Sequence, residues 1–363
     1  MADTEGDDGF FAEVISRFPP VCAAFAYGSA VFGQRGYTDA QRRAAMTDLV
    51  FVVDDASSWH ARNLQMNEEH YTLPARGLGS SAVCFIQQLG AGVYYNTAVH
   101  VAGRRVKYGV IQGERLQDDL KHWSSLYIAG RMHKPVRMLC PAPAELESSA
   151  RANHRSALAA SLLLLPERFD DGALYETICN LSYAGDVRMG VGESSQKPGN
   201  IASGQRPALS SLYTELLRDV ADLGGTPAAH EQDVGPGARL QLLQSLPSAV
   251  QTGLLRELGR DGVLGAPTPT SAQSPCGTGA ALRQATETLW RRTGSTGCRE
   301  GQPNERLAMA LRRTLSTIVR RASLAQTVKG VATAGATTSL IYALDKIRAA
   351  RLGHGVGARR RSV

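Results

Sequence analysis

FAYGSAVFGQRGYTDAQRRAAMTDLVFVVDD, residues 25–55, is the stretch on which the fold turns. It opens on the end of an apolar run, residues 21–27, short enough for one buried strand. Gly28-Ser29 follows directly. After about eighteen mixed residues a second apolar run, residues 49–53, is bracketed by Asp48 on one side and by Asp54 and Asp55 on the other.

A strand, a Gly-Ser turn, a connector and a strand flanked by carboxylates suit a nucleoside triphosphate and its metal ions. Gly28 lets the backbone turn tightly, so amide groups can approach phosphate oxygens. Ser29 adds a hydroxyl and can cap a helix whose N-terminus favours anions. Magnesium takes one or two carboxylates plus substrate phosphates. Positions 48, 50, 52 and 54 share one strand face, which sets Asp48 and Asp54 roughly 20 Å apart at about 3.3 Å per residue. One ion cannot bridge that span, so a third acid is expected from elsewhere. Read blandly, Gly-Ser is an ordinary turn and the acids are loop residues.

Further along, YGSAVF, DLVFVVDD, WHARNLQMNEEHY, GAGVYYNT, VKYGVI, LYIAGRMHKPV, LLLLPERF, LSYAGDVRMGVGE and SLAQTVKGVATAG occur in order. Together they resemble the mitochondrial phosphatidate cytidylyltransferases, also called the translocator assembly and maintenance proteins. The likeness runs from about residue 10 to about residue 346 and is weakest between 225 and 300. It implies an α+β architecture: a nucleotidyltransferase-like mixed-sheet domain (10–140), then a mostly helical, winged-helix-like domain (141–224). It also implies CTP and phosphatidate as substrates, Mg²⁺ as cofactor, and a peripheral place on the matrix side of the mitochondrial inner membrane. The family's nucleotidyltransferase pattern has two acids one residue apart. Here Asp48 is followed by Leu49 and Val50, leaving Asp54 or Asp55 as candidates for the second metal carboxylate by sequence proximity.

Composition sets limits. The 363 residues are 43% hydrophobic and 20% charged, enough for a sizeable core. Cysteines at 22, 84, 140, 179, 276 and 298 lack metal-like spacing and read as reduced and mostly buried. The chain carries +7, but residues 303–363 hold twelve basic and two acidic side chains, +10, so the rest carries −3. A basic tail on a slightly acidic body points to an anionic surface and argues against nucleic acid as partner. No apolar run is long enough to span a membrane. The first nine residues hold four acids and no Lys or Arg, unlike a transit peptide.

Taken in order, residues 10–18 read as a short amphipathic helix and 57–69 as a helix capped by Ser57 or Ser58. His60, Asn63 and His70 there are either part of the family signature or packing and capping groups. Residues 83–89 fit helix or strand. Residues 94–101 and 104–111 form a hairpin carrying Lys107, which either neutralises charge on a triphosphate or faces solvent from an edge strand. Tyr95 and Asn96 are weaker candidates, and Tyr27 joins the phosphate-binding set. Residues 116–126 read as helix. Arg131 and Lys134 form a basic cluster for phosphate or a lipid head group, or a solvated loop.

Helices over 148–165 and 171–181 lead to a polar loop at 182–193. Its Asp186, Arg188 and Glu193 are placed facing the cleft, with Arg188 either gripping the phosphatidate phosphate bidentately or paired with Asp186 or Glu193 across the domains. Residues 225–302, rich in Gly, Pro and Ser, read as linker or insertion. Residues 305–321 form a basic amphipathic helix whose Leu307, Leu311, Leu315 and Ile318 face either a membrane or the protein's own core; the basic charge and the implied lipid substrate favour the membrane, making 303–363 a C-terminal amphipathic membrane-associating tail. A weaker amphipathic stretch spans 338–352, and Arg359 to Arg361 end the chain.

The reading that follows is a peripheral membrane enzyme making CDP-diacylglycerol. Gly28 and Ser29 cradle phosphate, Asp48 with Asp54 or Asp55 binds metal, Lys107 steadies the triphosphate and Arg188 holds the lipid phosphate. Three others stay open: a nucleotidyltransferase acting on RNA or protein, a non-enzymatic maintenance factor for the inner-membrane protein translocator, and a lipid-binding module using only the tail.

Overall fold

The computed structural model describes residues 2–32, 45–189, 194–220, 223–226, 229–263, 275–293 and 303–334. The two apolar runs of the opening stretch are adjacent antiparallel strands, β1 (Ala23–Tyr27) and β2 (Thr47–Val53), joined through Ala23↔Val52 to Tyr27↔Asp48. The hairpin is β3 (Val93–Val101) and β4 (Arg104–Gln112), and β4 runs parallel to β2 with Asp48 opposite Lys107. With β5 (Arg137–Met138) they make a five-stranded mixed sheet ordered β3-β4-β2-β1-β5. Strand alternation gives the sheet two apolar faces. Phe25, Val50, Val52 and Ile111 feed one core, while Ala24, Leu49, Phe51 and Tyr108 feed another.

That second face is covered by α1 (Ala2–Ser16) and α2 (Ala56–Met66). Asp55 caps α2 by accepting from the Ser58 amide, so the cap is the acid and not Ser57 or Ser58. A single 3₁₀ turn (Glu68–His70) then leads to α3 (Leu73–Gln88), so residues 83–88 are helix. The WHARNLQMNEEHY segment is a buried polar lattice on this face. His60 bonds Tyr71 and Gln87, and Asn63, Asn96 and His70 all converge on the Tyr108 hydroxyl. Burial pushes His60 down to about 4, so it stays neutral. These residues pack the sheet's back and do not enter the site.

The other face meets α4 (Gly113–His122), α5 (Ala129–Met132) and the long α6 (Ala144–Leu164). Next come β6 (Arg168–Phe169), α7 (Asp171–Asn180), α8 (Lys197–Gly204) and α9 (Arg206–Val220). Residues 225–302, expected as linker or insertion, are built structure over much of their length, which fits an insertion and not a linker. β7 (Leu223–Thr226) and β8 (Ala229–Gln232) join β6 in a small antiparallel sheet. α10 (Pro236–Gln244), α11 (Ser248–Arg260) and α12 (Pro275–Thr293) send Leu242, Leu254 and Leu289 into the core. One apolar cluster runs unbroken from Phe25 to Ala322, so the sheet and the helices share a core.

α13 (Pro303–Ala334) corrects the expectation that the Leu307–Ile318 stripe of the tail lies on a membrane. Leu307, Leu311 and Leu315 are buried in that shared core and Ile318 packs against it. The stripe that could have met a membrane meets the protein. The 338–352 stretch, Arg359 to Arg361 and Glu193 lie outside the described residues. Four described cysteines are free thiols; Cys179 is buried, and Cys22, Cys84 and Cys140 are only half-buried. Among the described residues no helix is long and apolar enough to cross a membrane.

Candidate active site

Three central strands place Tyr27, Asp48 and Lys107 side by side on one sheet face. Because β4 lies inside the sheet, Lys107 is not on an edge. Its Nζ stands 3.9 Å from Asp48 Oδ1, a loose ion pair, and 4.6 Å above the Tyr95 ring. That ring lies flat over Gly109, where a Cβ would come within 2.6 Å of Tyr95 Cε1. Gly28 turns the chain out of β1 with φ +88°, and a Cβ there would sit 3.2 Å from Asp48 Oδ2. The missing side chain leaves open space over a carboxylate that is 28% exposed, so a ligand can reach it.

Above this floor stands a group of cations. Arg131, on α5, lies 3.9 Å over the Tyr127 ring and donates to the Tyr27 hydroxyl at 3.2 Å. Lys134 donates to Ser182 Oγ at 2.9 Å and sits 5.1 Å from the Tyr183 ring, which Lys197 approaches from 5.8 Å. Gly130 allows this approach, since a Cβ there would overlap Ser182. Arg188 grips Asp186 with Nε at 2.9 Å and Nη2 at 2.6 Å. The salt-bridge alternative for Arg188 is therefore realised, within one turn of chain.

The loop presenting Tyr127 and Arg131 is tied down by a residue with no motif to announce it. Asp119 is buried, and its carboxylate accepts from the Ser125 amide and hydroxyl and from the Leu126, Ile128 and Ala129 amides. Tyr127, Ser182, Tyr183 and Lys197 also escape the sequence reading, because each joins the site through tertiary contacts alone. Of the weaker pair, Tyr95 faces the cleft, whereas Asn96 points to the back and binds Tyr108.

Asp54 and Asp55 are not brought to Asp48. Both follow the far end of β2: Asp54 accepts from Cys22 at 2.9 Å and Asp55 is occupied as the α2 cap. As strand spacing requires, six or seven extended residues hold them roughly 20 Å from Asp48 or more, so neither shares one ion with it. Among the described residues no three His, Cys, Asp or Glu side chains converge as a metal cage. Among the described residues an open carboxylate beside a cluster of cations suits Mg²⁺, whose other ligands would be phosphate oxygens and water. It does not suit an ion caged by protein.

The electrostatics favour polyanions. Burial alone would raise the Tyr127 phenol, but Arg131, Arg188 and Lys107 outweigh it and bring it down to about 8. Burial pushes the Lys134 ammonium down to about 8; Cys179 opposes this, while Arg131 and Lys197 add to it. As pH rises through 8, Lys134 loses its charge and Tyr127 gains a negative one, so the cleft becomes less positive on both counts. Binding of a polyanion in this cleft should therefore weaken above about pH 8, giving a falling limb there. The Lys134→Arg, Tyr127→Phe double variant should move that limb to higher pH; an unchanged profile would show that neither group matters.

A mixed sheet offering one open carboxylate beneath a set of cations and tyrosines defines a protein that handles phosphate esters. The particular kind follows from comparison with known proteins. The family described as mitochondrial phosphatidate cytidylyltransferase matches residues 11–349. The zebrafish (Danio rerio) protein of that name is 36% identical over 344 residues, covering 93% of this chain and 94% of its own length. The Xenopus laevis protein is 37% identical, covering 93% of each chain. The human protein is 35% identical over 90% of this chain and 67% of its own length. The chain belongs to the mitochondrial phosphatidate cytidylyltransferase family.

Proposed function

We propose that the Asp48 cleft transfers the cytidylyl group of CTP to phosphatidate, giving CDP-diacylglycerol and pyrophosphate. Family membership supplies the reaction, and the register Tyr27–Asp48–Lys107 on one open sheet face carries its assignment to this cleft. A phosphate oxygen of phosphatidate attacks the α-phosphorus of CTP. A new P–O bond forms, the bond from the α-phosphorus to the bridging oxygen breaks, and its electrons leave with pyrophosphate.

The chain's own residues bind and orient. Gly28 and Ser29 turn their backbone toward the triphosphate, and Lys107 offers its charge to the oxygens on which negative charge develops. Asp48 is the protein's contribution to holding Mg²⁺, which when bound neutralises triphosphate charge and stabilises the attacking and leaving oxygens. Arg131, Lys134 and Arg188 stand over the same floor and receive the acceptor's phosphate. Arg188 does so with Asp186 fixing one edge of its guanidinium. The protein works at a membrane surface, where a two-chain acceptor resides. The mitochondrial inner membrane, matrix side, is the proposed place, and cardiolipin and phosphatidylglycerol synthesis the proposed use of the product.

Incubation of the purified chain with phosphatidate and each of the four labelled nucleoside triphosphates tests this reading. Labelled lipid and pyrophosphate should form from CTP and cease when a magnesium chelator is added. No lipid labelling from any nucleotide would refute the reading and favour the non-enzymatic maintenance role, which has no need of Asp48 or Lys107.

A further inference from the structure

A second concavity, of about 470 Å³, opens between α11, α13 and the turn after α4; it holds none of the side chains assigned to phosphate or metal above and meets the loop that Asp119 ties down at Ser124 and Ser125. Arg256, Arg260 and Arg321 line it, with hydroxyls from Ser248, Thr252 and Thr317. Its one acid, Glu257, is taken by Arg260 at 2.6 Å. Among the described residues Arg256 and Arg321 have no ion-pair partner. The pocket therefore holds two positive charges that the protein does not balance.

Arg321 also belongs to a stripe. Thr317, Arg321, Leu324 and Val328 recur at helical spacing along one side of α13. Leu324 and Val328 are 53% and 64% exposed, unusual for large apolar side chains on a well-packed helix. Immediately beside them Lys329 donates to the Leu89 and Gln87 carbonyls, and Gly90, which also lines the pocket, meets Ala325. The end of α3 is thus fixed against α13, and Phe85 and Leu89 at that end are themselves 67% and 47% exposed. Seven residues of helix separate Arg321 from Val328, about 10 Å along the axis. Cations and apolar side chains at that separation match a phospholipid's phosphate and the start of its acyl chains.

We propose that this face seats the protein on an anionic bilayer. The Arg256–Arg321 pocket takes the phosphate of a phospholipid headgroup, and Phe85, Leu89, Leu324 and Val328 enter the acyl boundary. The charge of the pocket selects the occupant: unbalanced arginines beside exposed apolar groups complement an anionic lipid surface. This rests on the reading that the acceptor is bilayer-borne, and the test keeps the two apart.

The full chain is sedimented with vesicles of phosphatidylcholine alone, or of phosphatidylcholine with phosphatidylglycerol. The same preparations are assayed for turnover of short-chain, water-soluble phosphatidate. Arg256→Gln with Arg321→Gln should weaken binding to the anionic vesicles about thirtyfold, at roughly fivefold for each arginine. Leu324→Ser with Val328→Ser should weaken binding to both vesicle types. Both double variants should turn over soluble phosphatidate at the parental rate. Parental vesicle binding in both double variants would overturn the proposal while leaving the assigned reaction standing. Loss of soluble turnover in the arginine variant would overturn the separation of this face from the catalytic cleft.

Discussion

Asp48→Asn should lower kcat by about a thousandfold and leave the unfolding midpoint within experimental error of the parent. The first half follows from charge. Among the described residues Asp48 is the carboxylate that pairs with Lys107 on the open floor, and losing a group that stabilises transition-state charge typically costs two to three orders of magnitude. The second half follows from exposure. Asp48 makes only a 3.9 Å contact to Lys107 and stays open to solvent, so its removal breaks no buried network. Full activity in the asparagine variant would remove Asp48 from the reaction; loss of fold would make it structural.

Asp119→Ala is the complementary case, large in stability. Its carboxylate satisfies donors on Ser125, Leu126, Ile128 and Ala129 in a buried loop. Within that loop and just before it, Leu126 and Trp123 hold left-handed backbones with φ +53° each. Removing the acceptor orphans buried amides and should cost about 3 to 5 kcal/mol, read from denaturant midpoints. Activity should fall with it, because the same loop carries Tyr127 and leads to Arg131. A variant with parental stability would show that the loop does not depend on this carboxylate.

What was legible in the sequence was what lies along one strand. The apolar runs around Gly28 and Asp48 revealed β1 and β2, and alternation set which residues share a face. Lys107 and the Arg131–Lys134 pair were visible because a cation beside such a frame has an evident use. Asp54 and Asp55 follow the far end of β2 from Asp48, the separation that strand spacing already set, and each has a partner there. For the 225–302 region Gly, Pro and Ser content left linker and insertion both open; the start signal that separates them is Pro236, which opens α10 where proline is favoured in the first turn. The periodicity of α13 shows an amphipathic helix, but its basic charge pointed the Leu307–Ile318 stripe to a membrane where the core covers it, because periodicity alone does not say which of the two does. Asp119, Tyr127 and Ser182 had no signal at all, since each acts through contacts made only after folding.

The central claim is that the triphosphate and its metal lie between the Gly28 turn and Lys107, with Asp48 on the metal. A crystal grown with CTP and Mn²⁺, measured at the manganese edge, tests it most directly. An anomalous peak within about 2.2 Å of an Asp48 carboxylate oxygen, with the triphosphate spanning Gly28 and Lys107, is the predicted result. CTP bound with its metal elsewhere, and Asp48 free of it, would contradict the account.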